Sequence, residues 1–177
     1  MKVALIAGGN RLEATSTQVL RYIQHELTAQ QHEVELVDLY VTPIPFYSTD
    51  ENHADAATLR LKRVLKEADA IVLGTPEYHG SMSGVLKNAL DHVSSEEFDG
   101  KAVLVVSSAG GAVGTSSLLQ LQAIVRNLHG INCPEWISVG GDARTFDSEG
   151  IPADDKVKTR ILRTLHYFID LSANLRQ

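Results

Sequence analysis

The sequence predicts an α/β fold of three layers, with helices on both faces of a five-stranded parallel sheet in the order 2-1-3-4-5. Two observations predict it. Short, nearly continuous apolar runs recur along the chain, and the longer segments between them carry apolar residues every third or fourth position. A strand covered on both faces needs apolar side chains on both, so it does not alternate. A helix lying on a sheet needs only one apolar stripe. Right-handed crossovers then leave few topologies.

The elements follow in order. Val3 to Ala7 reads as the first strand, and Val19, Ile23 and Leu27 share one face of the first helix. Val34 to Leu39 is the second strand; Leu61, Val64, Leu65 and Ala68 mark the second helix. Ala70 to Leu73 is the third strand, followed by a stripe of Leu86, Ala89, Leu90 and Val93. Ala102 to Val106 is the fourth, followed by Leu118, Leu121, Val125 and Leu128. Ile137 to Val139 is the fifth, and Val157, Ile161, Leu165, Phe168 and Ile169 form the last stripe. Thr42-Pro43-Ile44-Pro45 is a stiff loop after the second strand, and residues 140–153 form a polar loop before the last helix. Neither is long enough for a second domain, so residues 1–177 are expected to fold as one.

Composition narrows the function. Sixteen basic and 22 acidic side chains give a net charge of -6, with no Lys/Arg cluster. A nucleic-acid footprint is not expected, nor is attraction to anionic membranes. The apolar run at Met1–Ile6 is too short for a signal peptide or a bilayer span. The lone Cys133 cannot form an internal disulfide and reads as a small buried residue. A cytoplasmic protein is the expectation. The seven histidines, at 25, 32, 53, 79, 92, 129 and 166, are scattered without metal-ligand spacing.

Ligands of open parallel sheets bind beyond the C-terminal strand ends, and the loops after strands 1, 3 and 4 are the chain's most unusual parts. The first is Gly8-Gly9-Asn10-Arg11-Leu12-Glu13-Ala14-Thr15-Ser16-Thr17. Its glycines allow a tight backbone path, and its hydroxyls fall where first-turn amides lack intrahelical partners and favour an anion. Arg11 adds a charged donor. The loop reads either as a phosphate cradle or as an ordinary Ser/Thr helix cap. It has neither P-loop spacing nor Gly-x-Gly-x-x-Gly. The second is Gly74-Thr75-Pro76-Glu77-Tyr78-His79-Gly80-Ser81-Met82-Ser83-Gly84, a strand end able to form a flat-walled slot. Glu77 also fits a solvated loop charge, and His79 a turn residue without catalytic duty. The third, Ser107-Ser108-Ala109-Gly110-Gly111-Ala112-Val113-Gly114-Thr115, has three glycines that permit close ligand approach.

The run from Pro76 to Asp91 resembles the pattern Pro-Glu-Tyr-Asn, then Pro-Gly or Ser-Gly, then Leu-Lys-Asn-Ala-(Ile/Leu)-Asp of the flavodoxin-like NAD(P)H-dependent FMN reductases, notably azoreductase and quinone or chromate reductase members. The likeness covers nearly the whole chain. It implies that Gly9, Arg11, Thr15, Ser16 and Thr17 hold the FMN phosphate. It implies that Pro76, Glu77, Tyr78, His79, Gly80 and Ser81 line the ribityl and ring part, and that Ser107, Ala109, Gly110 and Gly111 approach from the other side. Two departures stand out: Gly9 replaces a usual Ser, and His79 replaces a usual Asn. The resemblance further implies hydride transfer from NADPH or NADH to bound FMN. A small acceptor would follow: a quinone, azo compound, metal oxyanion or free flavin. It implies a homodimer or homotetramer, and no separate acid/base or nucleophilic residue, because the cofactor carries the chemistry. Arg11 and Arg144 are the cations available for a 2′-phosphate. The rival class is a non-enzymatic flavodoxin-type electron carrier.

Overall fold

The computed structural model describes residues 1–50 and 55–176; His53 lies outside the described residues. The strands are β1 (Lys2–Ala7), β2 (Glu33–Asp38), β3 (Ala70–Pro76), β4 (Ala102–Ala109), β5 (Ile131–Asn132) and β6 (Ile137–Gly140). The helices are α1 (Thr15–Ala29), α2 (Ala56–Glu67), α3 (Gly84–Asp91), α4 (Ser95–Phe98), α5 (Thr115–Asn127) and α6 (Asp155–Asn174).

All strand pairs are parallel, in the order β2-β1-β3-β4-β5, with β6 also on β4. β3 and β4 are buried along their whole length. That explains their unbroken apolar runs, because each face meets a helical layer. On one face Ile6, Ile71, Leu73, Val103 and Val105 pack with Leu61, Leu65, Leu86, Leu90, Leu118 and Leu121 of α2, α3 and α5. On the other, Leu5, Val72, Leu104 and Val106 pack with Leu20, Ile23, Leu27, Ile161, Leu165 and Phe168 of α1 and α6.

The expected fifth strand, Ile137 to Val139, is β6, and a two-residue strand the sequence did not mark, β5, precedes it along the same edge of β4. β5 pairs with the start of β4 (Ala102↔Ile131) and β6 with its end (Val106↔Ile137). Pro134 lies between β5 and β6 and lacks an N–H that could continue the ladder from one to the other. The four-residue α4 is also new. It is set by a capping box between Ser94 and Glu97 and is too short to show a helical period. Cys133 is buried, and burial pushes its thiol pKa up, as suits an inert core residue. No described helix is long and apolar enough to cross a membrane.

Candidate functional site

A row of small groups crosses the sheet at its C-terminal rim. Thr75 of β3 pairs in register with Ser107 of β4, which pairs with Ser138 of β6; Gly8 follows β1 beside them. These residues share the α3/α5 face, and each fixes a loop. A hydroxyl close to a carbonyl must donate to it, which settles the proton assignments. Thr75 donates to Pro76 O at 2.8 Å and accepts from Ser83 N at 2.9 Å. Ser83 donates to Gly8 O at 2.6 Å and caps α3 through Leu86 N at 3.2 Å. Gly8 N donates to Gly74 O at 2.7 Å, and a Cβ on Gly8 would meet the Leu86 Cβ at 2.6 Å. The first loop is thus clamped between β3 and α3, at a distance only glycine permits.

The first loop then delivers the start of α1. Thr15, Ser16 and Thr17 occupy its first turn, all buried. The N-cap is Ala14, with no side-chain cap, so the ordinary Ser/Thr cap does not occur here. The Ser16 and Thr17 hydroxyls are buried without a hydrogen-bond partner. A Cβ on Gly9 would meet the Thr17 Oγ1 at 2.6 Å, so Gly9 is where the loop backbone closes on that hydroxyl. Arg11 is exposed on the same loop, and its guanidinium donates to Leu12 O at 3.3 Å.

The second loop is a two-residue turn. Tyr78 and Ser81 exchange backbone hydrogen bonds of 2.9 and 3.0 Å around His79 and Gly80, whose φ values are +51° and +73°. Both positive angles make a type I′-like turn, which favours Asn, Gly and, less strongly, His. That accounts for His79 standing where Asn is usual. The turn is bolted down on two sides. The Tyr78 hydroxyl meets Asn10 Oδ1 of the first loop at 2.6 Å. Ser81 Oγ donates to Gln120 Oε1 at 2.6 Å, and Gln120 Nε2 returns to Gly80 O at 2.9 Å. Glu77 is not a solvated charge. Its carboxylate accepts from Ser117 N and Ser117 Oγ, each at 2.9 Å. It therefore caps α5, whose own N-cap, Gly114, has no side chain to do so. Met82 is buried among core residues, not at the rim.

The third loop is framed at both ends. Ser107 turns its hydroxyl inward, to Gly114 O at 2.7 Å. At the far end a Cβ on Gly140 would meet Gly111 O at 2.1 Å and Ala112 O at 2.6 Å, so the loop rests on bare β6 backbone. Ala109 is buried, while Gly110 and Gly111 are exposed and face open space. Of the fifteen residues picked out from sequence, all three groups therefore meet at one rim. Glu77 and Ser81 spend their side chains on Ser117 and Gln120 of α5, and Ser107 on Gly114 at its N-cap. Sequence reasoning held Asn10, Thr75, Ser83 and Gly114 within the loops without giving them a role and passed over Ser117, Gln120 and Ser138, because only the tertiary packing brings their partners to them.

Beside this rim lies an apolar cavity of about 330 Å³, lined by Asn10, Leu39, Pro43, Ile44, Phe46, Gly84, Val85 and Asn88. Asn88 of α3 pins its outer wall. It accepts from Tyr47 N at 2.9 Å and donates to Pro45 O at 2.9 Å. His92 also touches Pro45 O at 2.9 Å and meets the Tyr47 ring edge-on.

Residues 1–144 match the family model described as NADPH-dependent FMN reductase. The chain belongs to this family. Among FMN reductase relatives, the chain is 38% identical over 143 residues to an NADPH azoreductase of Bacillus sp. (strain OY1-2), covering 80% of this chain and 78% of that one. It is 36% identical over 162 residues to an FMN-dependent NADPH-azoreductase of Staphylococcus aureus (strain USA300), covering 88% and 82%. In fold it matches FerB, a flavoenzyme NAD(P)H:(acceptor) oxidoreductase from Paracoccus denitrificans, with a TM-score of 0.84 at 22% identity over 98% of this chain and 97% of that one. A flavodoxin from the domain Archaea matches at a TM-score of 0.67 and 14% identity over 100% of each chain. The flavodoxin-like fold is thus shared with a flavodoxin as well as with an oxidoreductase, and it is the family membership that marks this chain as an NADPH-dependent FMN reductase relative.

The residues present fit FMN. A phosphate needs donors without partners, and α1 offers its first-turn amides and two orphaned buried hydroxyls. A ring needs open backbone, and Gly110 and Gly111 provide it.

Proposed function

We propose that this chain is an FMN-dependent NAD(P)H oxidoreductase that passes electrons to a small acceptor. The observation that carries the reading is the uncapped start of α1, where Ser16 and Thr17 hold buried hydroxyls with nothing to bond. Orphaned buried polar groups are costly, and a phosphate oxygen at a helix N-terminus answers both the hydroxyls and the amides. Gly9, Arg11, Thr15, Ser16 and Thr17 hold the phosphate in this reading. Pro76, Glu77, Tyr78, His79, Gly80 and Ser81, with Ser107, Ala109, Gly110 and Gly111, shape the slot for the rest, mostly through backbone. FMN held there would supply the two-electron redox chemistry between nicotinamide and acceptor.

The chain's own part is to orient and to exclude water. The hydroxyls of Thr75, Ser83 and Ser107 already have partners inside the protein. They therefore hold loops and move no proton. NADPH is the proposed donor, with Arg144 as the cation for its 2′-phosphate, since Arg11 is given to the FMN phosphate. The apolar cavity under Phe46, Ile44 and Val85 favours a flat aromatic acceptor, an azo compound or a quinone, over a hydrated oxyanion.

We place the protein in the cytoplasm as a homodimer or homotetramer. Phe46 is 93% exposed, next to Tyr47 in the chain and lining one cavity with Val85, apolar surface that a second copy would cover. Light scattering tests this, and a monomer at all working concentrations removes it.

The test of function is anaerobic mixing of the FMN-loaded protein with NADPH. Bleaching of the yellow band, followed by its return on adding a quinone or azo dye, supports the reading. An oxidised spectrum that persists with both NADPH and NADH overturns it and favours a carrier.

A further inference from the structure

We propose that Ser138, on the edge strand β6, is a positioning residue that holds the Gly110–Gly114 loop in its FMN-binding shape; the proposal rests on the FMN reading above. Ser138 lies outside every motif in the chain, yet it closes a ring of three hydrogen bonds. The Gly114 N–H donates to Ser138 Oγ at 2.8 Å. Ser107 Oγ donates to Gly114 O at 2.7 Å, which commits its one proton, because a carbonyl can only accept. The 3.1 Å contact between Ser138 Oγ and Ser107 Oγ must then be donated by Ser138. Each hydroxyl gives once and takes once, and both polar groups of Gly114 are spent.

The ring fixes the loop where nothing else can. Gly114 has no side chain, and a Cβ there would come within 3.0 Å of Ser107 Oγ and 3.2 Å of Glu77 Oε2. The four residues before it, Gly110 to Val113, are exposed, and Gly110 and Gly111 have open space where a side chain would be. Two adjacent glycines have the widest backbone freedom of any pair, so the loop's conformation depends on its anchors. One anchor is the ring; the other is the seat of Gly111 and Ala112 on Gly140, two residues beyond Ser138 on the same strand. β6 thus supplies both anchors while its Ser138 side chain lies off the open face of the loop.

The experiment compares FMN binding by the full-length apoprotein of the parent, Ser138→Ala and Ser138→Thr, using quenching of flavin fluorescence, with apoprotein melting as the structural control. Ser138→Ala is expected to weaken FMN about tenfold, the equivalent of about 1.4 kcal/mol, and to change the shape of the visible band of the bound flavin. Ser138→Thr keeps the hydroxyl and is expected to restore both. If Ser138→Ala does not fold, Ser138→Cys, similar in size but a poor acceptor, takes its place with the same expectation. Lower melting with unchanged FMN affinity and spectrum overturns the proposal, because the ring would then be structural only. A parent that binds no FMN overturns the FMN reading itself, and this outcome is distinct from the first.

Discussion

Replacing Glu77 by alanine should loosen the junction between the second rim loop and α5. Its carboxylate receives two hydrogen bonds, from the backbone and the hydroxyl of Ser117, each at 2.9 Å. A hydrogen bond to a charged group contributes about 1.5–3 kcal/mol. The helix N-terminus adds about 0.3–1 kcal/mol for a negative charge. Glu77 is half-buried, so the lower end applies to each bond, and the expected loss is about 3 kcal/mol. For a domain of this length that is a fall in Tm of about 5–10 °C. Glu77→Gln keeps the shape but loses the charge, and about half the loss is expected. Urea unfolding of the apoprotein measures both. A double-mutant cycle with Ser117→Ala should give a coupling above about 0.5 kcal/mol. A Glu77→Ala protein within about 0.5 kcal/mol of the parent would show the carboxylate to be an ordinary surface charge.

Three further outcomes are expected. Ser16→Ala removes a buried hydroxyl with no partner, so the apoprotein should be as stable as the parent or more so, while FMN affinity falls about five- to tenfold; isothermal titration beside urea unfolding checks the opposite signs, and parallel changes would refute them. His79→Asn should leave stability within about 0.5 kcal/mol, whereas His79→Val, forced to φ +51°, should cost about 1–2 kcal/mol, read by thermal melting. Tyr22 is buried on α1, and burial, with a smaller part from Glu26, raises its pKa to about 12. The unfolded phenol loses its proton near 10, so between pH 10 and 12 the folded state holds more protons and stability falls as pH rises. Tyr22→Phe should flatten that part of the stability curve relative to the parent, and identical slopes would refute the assignment.

The layers of the fold were legible in the sequence because β3 and β4 are covered on both faces, and their apolar runs record it. The exception at the fifth strand is instructive. The sequence marked Ile137 to Val139, which is β6, but not β5, whose two residues are too few to leave a pattern. The site was legible as three loops, because glycines and hydroxyls at strand ends are unusual locally. The roles within it were less so. Glu77 reads equally as a solvent charge until Ser117, forty positions away, is brought against it. Ser138 has no local signature at all.

By itself, the sequence determined the sheet, its order, the three loops that meet at one rim as the candidate site and the family motif from Pro76 to Asp91. Those follow from local periodicity and from residue types that few backbones tolerate. Only the tertiary structure decided which hydroxyls are free and which are spent. Ser16 and Thr17 end without partners while Thr75, Ser83 and Ser107 are saturated, although all five are the same chemistry on paper. The physical reason is that a hydrogen bond is a relation between two places. The partners here lie one to 75 residues apart in the chain, and strand register together with the packing of α3 and α5 sets them at 2.6–3.2 Å.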